Sequence, residues 1–114
     1  NSNLNVKRQF VKGFFDGDGS CTNSITERST TRCVYVSQST KEILEEINDI
    51  LEECGLLFKI YKNVRGKDIW YELSTKKNQE IVNFRDMIGF SYQNKYLKLE
   101  ETIAGMKRYG NQVL

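Results

Sequence analysis

The feature that most constrains this chain is an apolar stretch that ends in two carboxylates, each followed by a glycine (residues 10–20, FVKGFFDGDGS). Apolar residues at a spacing of four predict a helix over residues 4–15. The glycines after Asp16 and Asp18 are expected to end that helix, because glycine readily adopts the positive φ found past a helix end. A helix C-terminus presents free carbonyl oxygens and partial negative charge. Two carboxylates there predict a bound cation, and oxygen ligands suit Mg²⁺ or Ca²⁺.

Three plainer interpretations of the Asp-Gly-Asp-Gly segment stay open. It could be a simple turn, since these residue types are common in turns. It could be a calcium-binding loop with Asp16, Asp18, Ser20 and Glu27 at the first, third, fifth and twelfth positions. However, Cys21 stands at the sixth position, where such a loop needs glycine. It could also hold a metal ion that only stabilises the fold.

The residue types present narrow the chemistry further. The 114-residue chain contains no histidine, which excludes Ser-His-Asp and Cys-His catalysis. Its three scattered cysteines form no C-x-x-C pair, so we expect no structural zinc site and interpret them as small core residues in a reducing, intracellular compartment. No apolar run approaches the ~20 residues that span a bilayer. The length and the 39% hydrophobic content suit a single domain over residues 1–114.

The remaining pattern predicts an α+β domain in the order α-β-β-α-β-β-α-α. After the first helix, the predicted elements are two strands within residues 20–37 around a turn at 27–31, a helix over 40–54, strands at 57–63 and 67–74, and helices at 77–88 and 92–106. Ser39 and Glu42 have the spacing of a capping box, and Gly55 suits the position just after the 40–54 helix. Hairpin-type strands predict a mostly antiparallel four-stranded sheet with the helices on one face.

The open face of this sheet is expected to be basic and aromatic, whereas the 40–54 helix is acidic. The net charge is −3 over residues 1–57 and +5 over residues 58–114, within a total of +2. Such a face predicts a nucleic-acid surface, although a merely solvated sheet face would look similar. The residues expected to contact nucleic acid are Arg28, Arg32, Tyr35, Lys59, Tyr61, Lys62, Arg65, Lys67 and Trp70.

Residues 11–19, VKGFFDGDG, resemble the signature of the LAGLIDADG (dodecapeptide) homing endonucleases, including those inside inteins. The predicted element order is similar to the αββαββα order of that family, so the resemblance covers nearly the whole chain. Lys12 departs from the small alanine of the family signature. The resemblance implies a DNA-facing saddle on the open sheet and site-specific, Mg²⁺-dependent hydrolysis of phosphodiester bonds in double-stranded DNA. It also implies that Ca²⁺ binds without supporting cleavage.

The resemblance implies roles for single residues as well. Asp18 matches the catalytic, metal-binding carboxylate, and Gly17 matches the residue whose carbonyl faces the metal. Asp16 matches an acidic position with a mainly structural role. Gln38 matches a polar catalytic residue that contacts the metal's water shell, with simple helix capping as the alternative. Lys95 loosely matches a basic catalytic residue, with a solvated helix lysine as the alternative.

A chain with one such motif must pair to cut both DNA strands. The resemblance implies a homodimer, or pairing with a second motif-bearing half, through motif helices that cross at a two-fold axis. The residues expected in that contact are Val6, Phe10, Gly13 and Phe14. Two alternatives stay open: a non-cleaving nucleic-acid-binding module on the same fold, such as a splicing helper or regulator, and a calcium-dependent structural domain.

Overall fold

A computed structural model describes residues 2–25 and 30–108. Its elements are α1 Ser2–Asp18, β1 Gly19–Ile25, β2 Thr30–Gln38, α2 Lys41–Glu53, β3 Lys59–Arg65, β4 Asp68–Thr75, α3 Asn78–Met87 and α4 Gln93–Arg108. The predicted α+β order is confirmed. The predicted turn at 27–31 falls partly outside the described residues, while Thr30 and Thr31 belong to β2. Within the described ranges, every helix is too short or too polar to cross a bilayer.

The four strands form one antiparallel sheet in the order β1-β2-β4-β3. Val34, Val36 and Leu73 point to one face of this sheet and are fully buried. Residues of the helices, among them Phe15 and Ile47, complete the same core. Because successive strand residues point to opposite faces, the described helices leave the other face open, as predicted.

Helix α1 continues to Asp18, three residues beyond its predicted end, and β1 begins at the next residue. The expected positive φ at Gly17 or Gly19 is wrong, since neither glycine is among those with positive φ. Gly19 is needed for a different reason. A Cβ atom there would lie 2.9 Å from the carbonyl oxygen of Phe15 and 2.6 Å from its ring. The helix therefore passes into the strand through a close backbone contact rather than through a left-handed turn.

Helix α2 ends as expected but begins differently. The predicted capping box of Ser39 and Glu42 is wrong, because Thr40 is the N-cap residue and makes no side-chain cap hydrogen bond. At the other end, Gly55 has φ 81°. The amides of Gly55 and Leu56 each bond back to a carbonyl of the last turn at 2.9 Å. This is the Schellman pattern that glycine favours after a helix.

Candidate metal centre and DNA-facing sheet

The ends of α1 and β2 meet at Asp18 and Gln38. Strand β1 starts where α1 stops, and its first residue, Gly19, pairs with Val36 of β2. This register brings the last residue of β2 beside the last residue of α1. The Gln38 side-chain amide donates a hydrogen bond to Asp18 Oδ2 at 2.9 Å. Two residues singled out separately are thus in direct contact, and the Asp18 carboxylate stays exposed.

Lys95 reaches the same end of α1 from helix α4. Its Nζ donates to the carbonyl oxygens of Asp16 at 2.7 Å and of Phe15 at 3.2 Å, and it lies 5.9 Å from the centre of the Phe90 ring. An ammonium at this position neutralises the negative end of the helix dipole. The alternative of a merely solvated lysine is therefore wrong. Lys95 faces backbone oxygens of the turn that precedes Asp18.

Asp16 has a separate structural contact. Its Oδ1 accepts a hydrogen bond from the backbone amide of Ser91 at 2.7 Å, and the residue is buried. Together, Asp16 and Lys95 join the end of α1 to the segment that opens α4. The two carboxylates of the motif therefore differ: Asp16 is engaged in the fold, while Asp18 is open to solvent.

The residues at this junction suit a hard divalent cation, but one chain supplies only part of a ligand set. Asp18 offers carboxylate oxygens, and Gly17 lies in the last turn, where a helix has no further amides for its carbonyls. Oxygen ligands of this kind suit Mg²⁺. Among the described residues, however, no group of three or more His, Cys, Asp or Glu side chains could hold a metal.

One face of α1 is exposed and apolar. Val6 is 68% exposed and Phe10 is 51% exposed. Gly13 and Gly17 continue this face at helical spacing, and a Cβ atom at either position would meet nothing within 4 Å among the described residues. Packing within the described part of the chain therefore does not require glycine at these two positions. Phe14 differs from the other predicted contact residues, since it is partly buried and packs against the core.

Gly17 was not among the residues predicted to lie on this face. The spacing of four, three and four residues from Val6 to Gly17 is the signal that could have identified it. We refer below to Val6, Phe10, Gly13 and Gly17 as the α1 stripe.

The open face of the sheet carries five of the nine residues expected to contact nucleic acid. Strand pairing places Lys59 beside Ser74 and Ser74 beside Tyr35, all on the face opposite Val34. Alternation along the strands extends this face. The five predicted residues on it are Tyr35, Lys59, Tyr61, Arg65 and Trp70. Lys67 lies in the turn between β3 and β4, and Arg28 lies outside the described residues.

Arg32 and Lys62, which were also expected to contact nucleic acid, do not lie on the open face. Arg32 is only 4% exposed and shares its sheet face with Val34, two residues further along β2. It lies beneath α4, where a Cβ atom at Gly105 would be 3.8 Å from Arg32 Nη2. Lys62 is exposed but pairs with Tyr71, on the helix-bearing side. The two-residue period of a strand could have predicted both positions.

The acidic residues of α2 lie away from the open face. This helix packs on the sheet through Leu44, Ile47 and Leu51, which are fully buried. Its solvent side is acidic, and an ion pair of 3.2 Å joins Glu53 to Lys7 of α1. A polyanion would therefore be attracted to the sheet and repelled from α2. The exposed acids are Glu42, Glu45, Glu46, Asp49, Glu52 and Glu53.

Comparison with known proteins agrees with this architecture. The homing endonuclease I-CvuI, solved with its DNA target in the presence of Ca, matches 97% of this chain and 72% of its own, with a TM-score of 0.70 and 19% identity. The LAGLIDADG meganuclease I-AabMI, bound to uncleaved DNA, matches 92% of this chain but only 38% of its own, with a TM-score of 0.66 and 20% identity.

Sequence relatives are much longer than the chain. It is 32% identical to the tRNA-splicing ligase RtcB of Pyrococcus furiosus, over 95% of the chain but 13% of that protein. It is 30% identical to a probable translation initiation factor IF-2 of Thermococcus kodakarensis, over 88% of the chain but 8% of that protein. The model of the LAGLIDADG-like domain matches residues 5–89. The chain therefore belongs to the LAGLIDADG-like domain family and has the fold of the LAGLIDADG homing endonucleases.

Proposed function

We propose that this domain, paired with a second copy or a second motif-bearing half, is a site-specific endonuclease that hydrolyses phosphodiester bonds in double-stranded DNA with Mg²⁺. The observation that carries the proposal is the junction at the end of α1. There the exposed Asp18 carboxylate accepts a hydrogen bond from Gln38. Asp18 belongs to α1, the helix that carries the exposed α1 stripe.

Each residue of the junction has a defined part in this proposal. Asp18 and the carbonyl of Gly17 would hold Mg²⁺, which when bound activates water and stabilises the leaving oxygen of a phosphodiester. Gln38 orients the Asp18 carboxylate through its amide. Lys95 neutralises the negative end of α1, so that Asp18 stands beside a helix terminus of reduced charge.

Pairing through the α1 stripe would complete the metal centre. The stripe exposes Val6 and Phe10, while Gly13 and Gly17 leave space for the close approach of another helix. Because the stripe and Asp18 share one helix, a two-fold contact would bring two Asp18 carboxylates toward the same axis. The coverage of 72% of one solved endonuclease chain and 38% of another fits a unit that is either a subunit or a half.

The relatives also support an origin as an inserted element. They are named as an RNA ligase and a translation factor, and a further relative is named as a replication factor C small subunit, of which the chain covers 5%. These names share no activity, while the matching segment is common to them. We infer that the domain is an intein-type insertion and takes no part in the named activities.

The Asp18→Asn variant tests the proposed function. We expect it to lose cleavage of duplex DNA in Mg²⁺ while binding DNA as tightly as the wild type, because binding depends on the sheet face. Asp49→Asn, an exposed carboxylate on α2, is the matched control and should cut normally. Cleavage should stop with EDTA and should not occur with Ca²⁺ alone. If Asp18→Asn cuts at the wild-type rate, the assignment of the metal centre is wrong. Wild-type binding without cleavage would instead favour the non-cleaving module.

A further inference from the structure

Three paired side chains cross the sheet at the end of β2 that lies beside the candidate metal centre. Gln38 of β2 pairs with Tyr71 of β4, and Tyr71 pairs with Lys62 of β3. Directly paired residues on neighbouring strands point to the same face of the sheet. That face is the helix-bearing one, because Val36, two residues before Gln38, is a core residue. Tyr71 is therefore the neighbour of Gln38 on the side of β4.

The hydrogen bond from Gln38 to Asp18 is exposed and depends on a flexible side chain. Gln38 Nε2 donates to Asp18 Oδ2 at 2.9 Å, in an exposed position. Water competes for both groups in such a place, and a glutamine loses much of its rotamer freedom when its amide is fixed. A neighbouring group that restricts Gln38 would therefore favour this bond.

Tyr71 suits this task because the core already holds it. It is partly buried and packs against the hydrophobic core, and the fully buried Leu73 lies two residues further along the same strand face. Directly paired residues on antiparallel strands have Cβ atoms about 4.5–5.5 Å apart, so an aromatic ring reaches the aliphatic stem of its partner. The strand order β1-β2-β4-β3 places Tyr71 on one side of β2 and β1, which follows Asp18, on the other. A ring on the first side leaves the Gln38 amide directed toward the second.

The other paired residues near this row are not in a position to restrict Gln38. Glu72 pairs with Ser37, the residue before Gln38, and both point to the open face. Lys62 is on the helix-bearing face but lies on β3, two strands away from β2, or about 10 Å. Among the described strand residues, Tyr71 therefore combines the correct face, the adjacent strand and a side chain held by the core.

We propose that Tyr71 is a positioning residue of the metal centre, whose ring holds the stem of Gln38 so that the amide donates to Asp18. The effect passes through Gln38, and the hydroxyl of Tyr71 has no part in it. Phenylalanine should therefore replace Tyr71 without loss, whereas valine suits a strand but lacks the ring. The relevance of this contact to cleavage rests on the proposed function, while the contact itself is measurable without metal or DNA.

The first test measures the side-chain amide of Gln38 by ¹⁵N relaxation in the full chain, without metal and without DNA. In the wild type we expect a restricted amide and nuclear Overhauser effects between the Gln38 stem and the Tyr71 ring. Tyr71→Val should lower the order parameter of this amide to below about 0.6, whereas Tyr71→Phe should keep the wild-type value. Tyr61→Val, which replaces an exposed tyrosine on the open face of β3, is the matched control and should leave Gln38 unchanged. The Gln79 amide, bonded to Asn83 at 3.0 Å on α3, is the internal reference.

The second test measures cleavage of duplex DNA at a Mg²⁺ concentration below saturation. Loss of a group that orients a metal ligand typically lowers activity 10–100-fold. We expect Tyr71→Val to slow cleavage about tenfold, while DNA binding in Ca²⁺ is unchanged. In the Gln38→Ala background the same substitution should have no further effect, because the effect passes through Gln38. An equal further loss in that background would show a general structural role and overturn the proposal.

The outcomes separate this inference from the proposed function. If the Gln38 amide responds to Tyr71→Val but the wild type cuts no duplex, the packing of Tyr71 on Gln38 stands and the endonuclease proposal fails. If the wild type cuts duplex while the amide is indifferent to Tyr71→Val, the positioning role is wrong and the endonuclease proposal stands. Loss of amide order in Tyr71→Phe would assign the effect to the hydroxyl and also overturn the inference. If Tyr71→Val does not fold, the absence of Overhauser effects between ring and stem in the wild type overturns it, and their presence supports it.

Discussion

Replacing Lys95 by methionine should destabilise the domain through the end of α1. The ammonium donates to the carbonyl oxygens of Phe15 and Asp16, at 3.2 and 2.7 Å, in a partly buried position. Methionine matches the apolar stem of lysine as far as Cε but has no donor group. Both carbonyls would lose their charged partner, and the negative end of the helix dipole would no longer be neutralised.

The expected magnitude follows from these contacts. A hydrogen bond to a charged group contributes about 1.5–3 kcal/mol, and we assign the low end of that range to the shorter bond because Lys95 is partly exposed. The longer bond shares the same ammonium and adds about 0.5 kcal/mol. The interaction with the helix dipole adds about 0.3–1 kcal/mol. The Lys95→Met variant should therefore lose about 2–3 kcal/mol of unfolding free energy, which lowers Tm by about 10 °C for a chain of this length.

The assay is thermal and urea unfolding followed by circular dichroism, without metal and without DNA. The matched control is Lys98→Met, which removes an exposed lysine from the same helix and should change the unfolding free energy by less than about 0.5 kcal/mol. If Lys95→Met unfolds within that margin of Lys98→Met, the ammonium does not stabilise the end of α1. Lys95 would then be free for direct contact with substrate.

Three further perturbations have defined outcomes. Gly13→Leu should weaken self-association in sedimentation velocity, because its side chain would stand in the α1 stripe, whereas Ala104→Leu on the exposed side of α4 should not. A wild-type monomer that cuts both strands at micromolar concentration would contradict this. Arg32→Met should leave the free energy of urea unfolding unchanged or raise it, because Arg32 Nε and Nη2 are buried without hydrogen-bond partners among the described residues. A loss of more than about 1 kcal/mol would show that the guanidinium has a stabilising partner. Cys33 makes stability fall with rising pH, since its folded pKa is about 11 against 9.0 unperturbed. The unfolded thiol ionises first, so stability is complete below about pH 9 and should drop by up to about 2 kcal/mol by pH 10.5. Cys33→Ala should remove this part of the alkaline loss.

The element order was predictable because each boundary has a local signal. The apolar period of α2 and the glycine at position 55 locate that helix to within about two residues. The strands follow from β-branched and aromatic runs. The predicted helix ends differ from the observed ones at two places. Helix α1 continues through Gly17 to Asp18, and Thr40 rather than Ser39 is the N-cap of α2. Propensity alone does not determine where a helix stops when the next strand constrains it.

The contacts between the site residues were harder to predict from the sequence. The contact of Asp18 with Gln38 depends on the register that pairs Gly19 with Val36, and no spacing along the chain specifies that register. The resemblance to a family indicated both residues, but the sequence did not predict that their side chains are in contact. Lys95 is a similar case, since its role depends on how α4 crosses the end of α1. The expected contact of Arg32 with nucleic acid could have been rejected from the sequence, because Arg32 lies two residues before Val34 and therefore shares its sheet face.

The strict alternation along the strands has a consequence for how this domain can diverge. In β2, Val34 and Val36 belong to the core, while the residue between them, Tyr35, belongs to the open face. A substitution at an open-face position leaves the core unchanged, so a lineage can alter the surface it presents without losing its fold. Helix α1 has no such freedom. Its inner side fills the core, its outer side carries the stripe, and its last residue is Asp18. The sequence should therefore change quickly at the open-face positions of the sheet and slowly in α1.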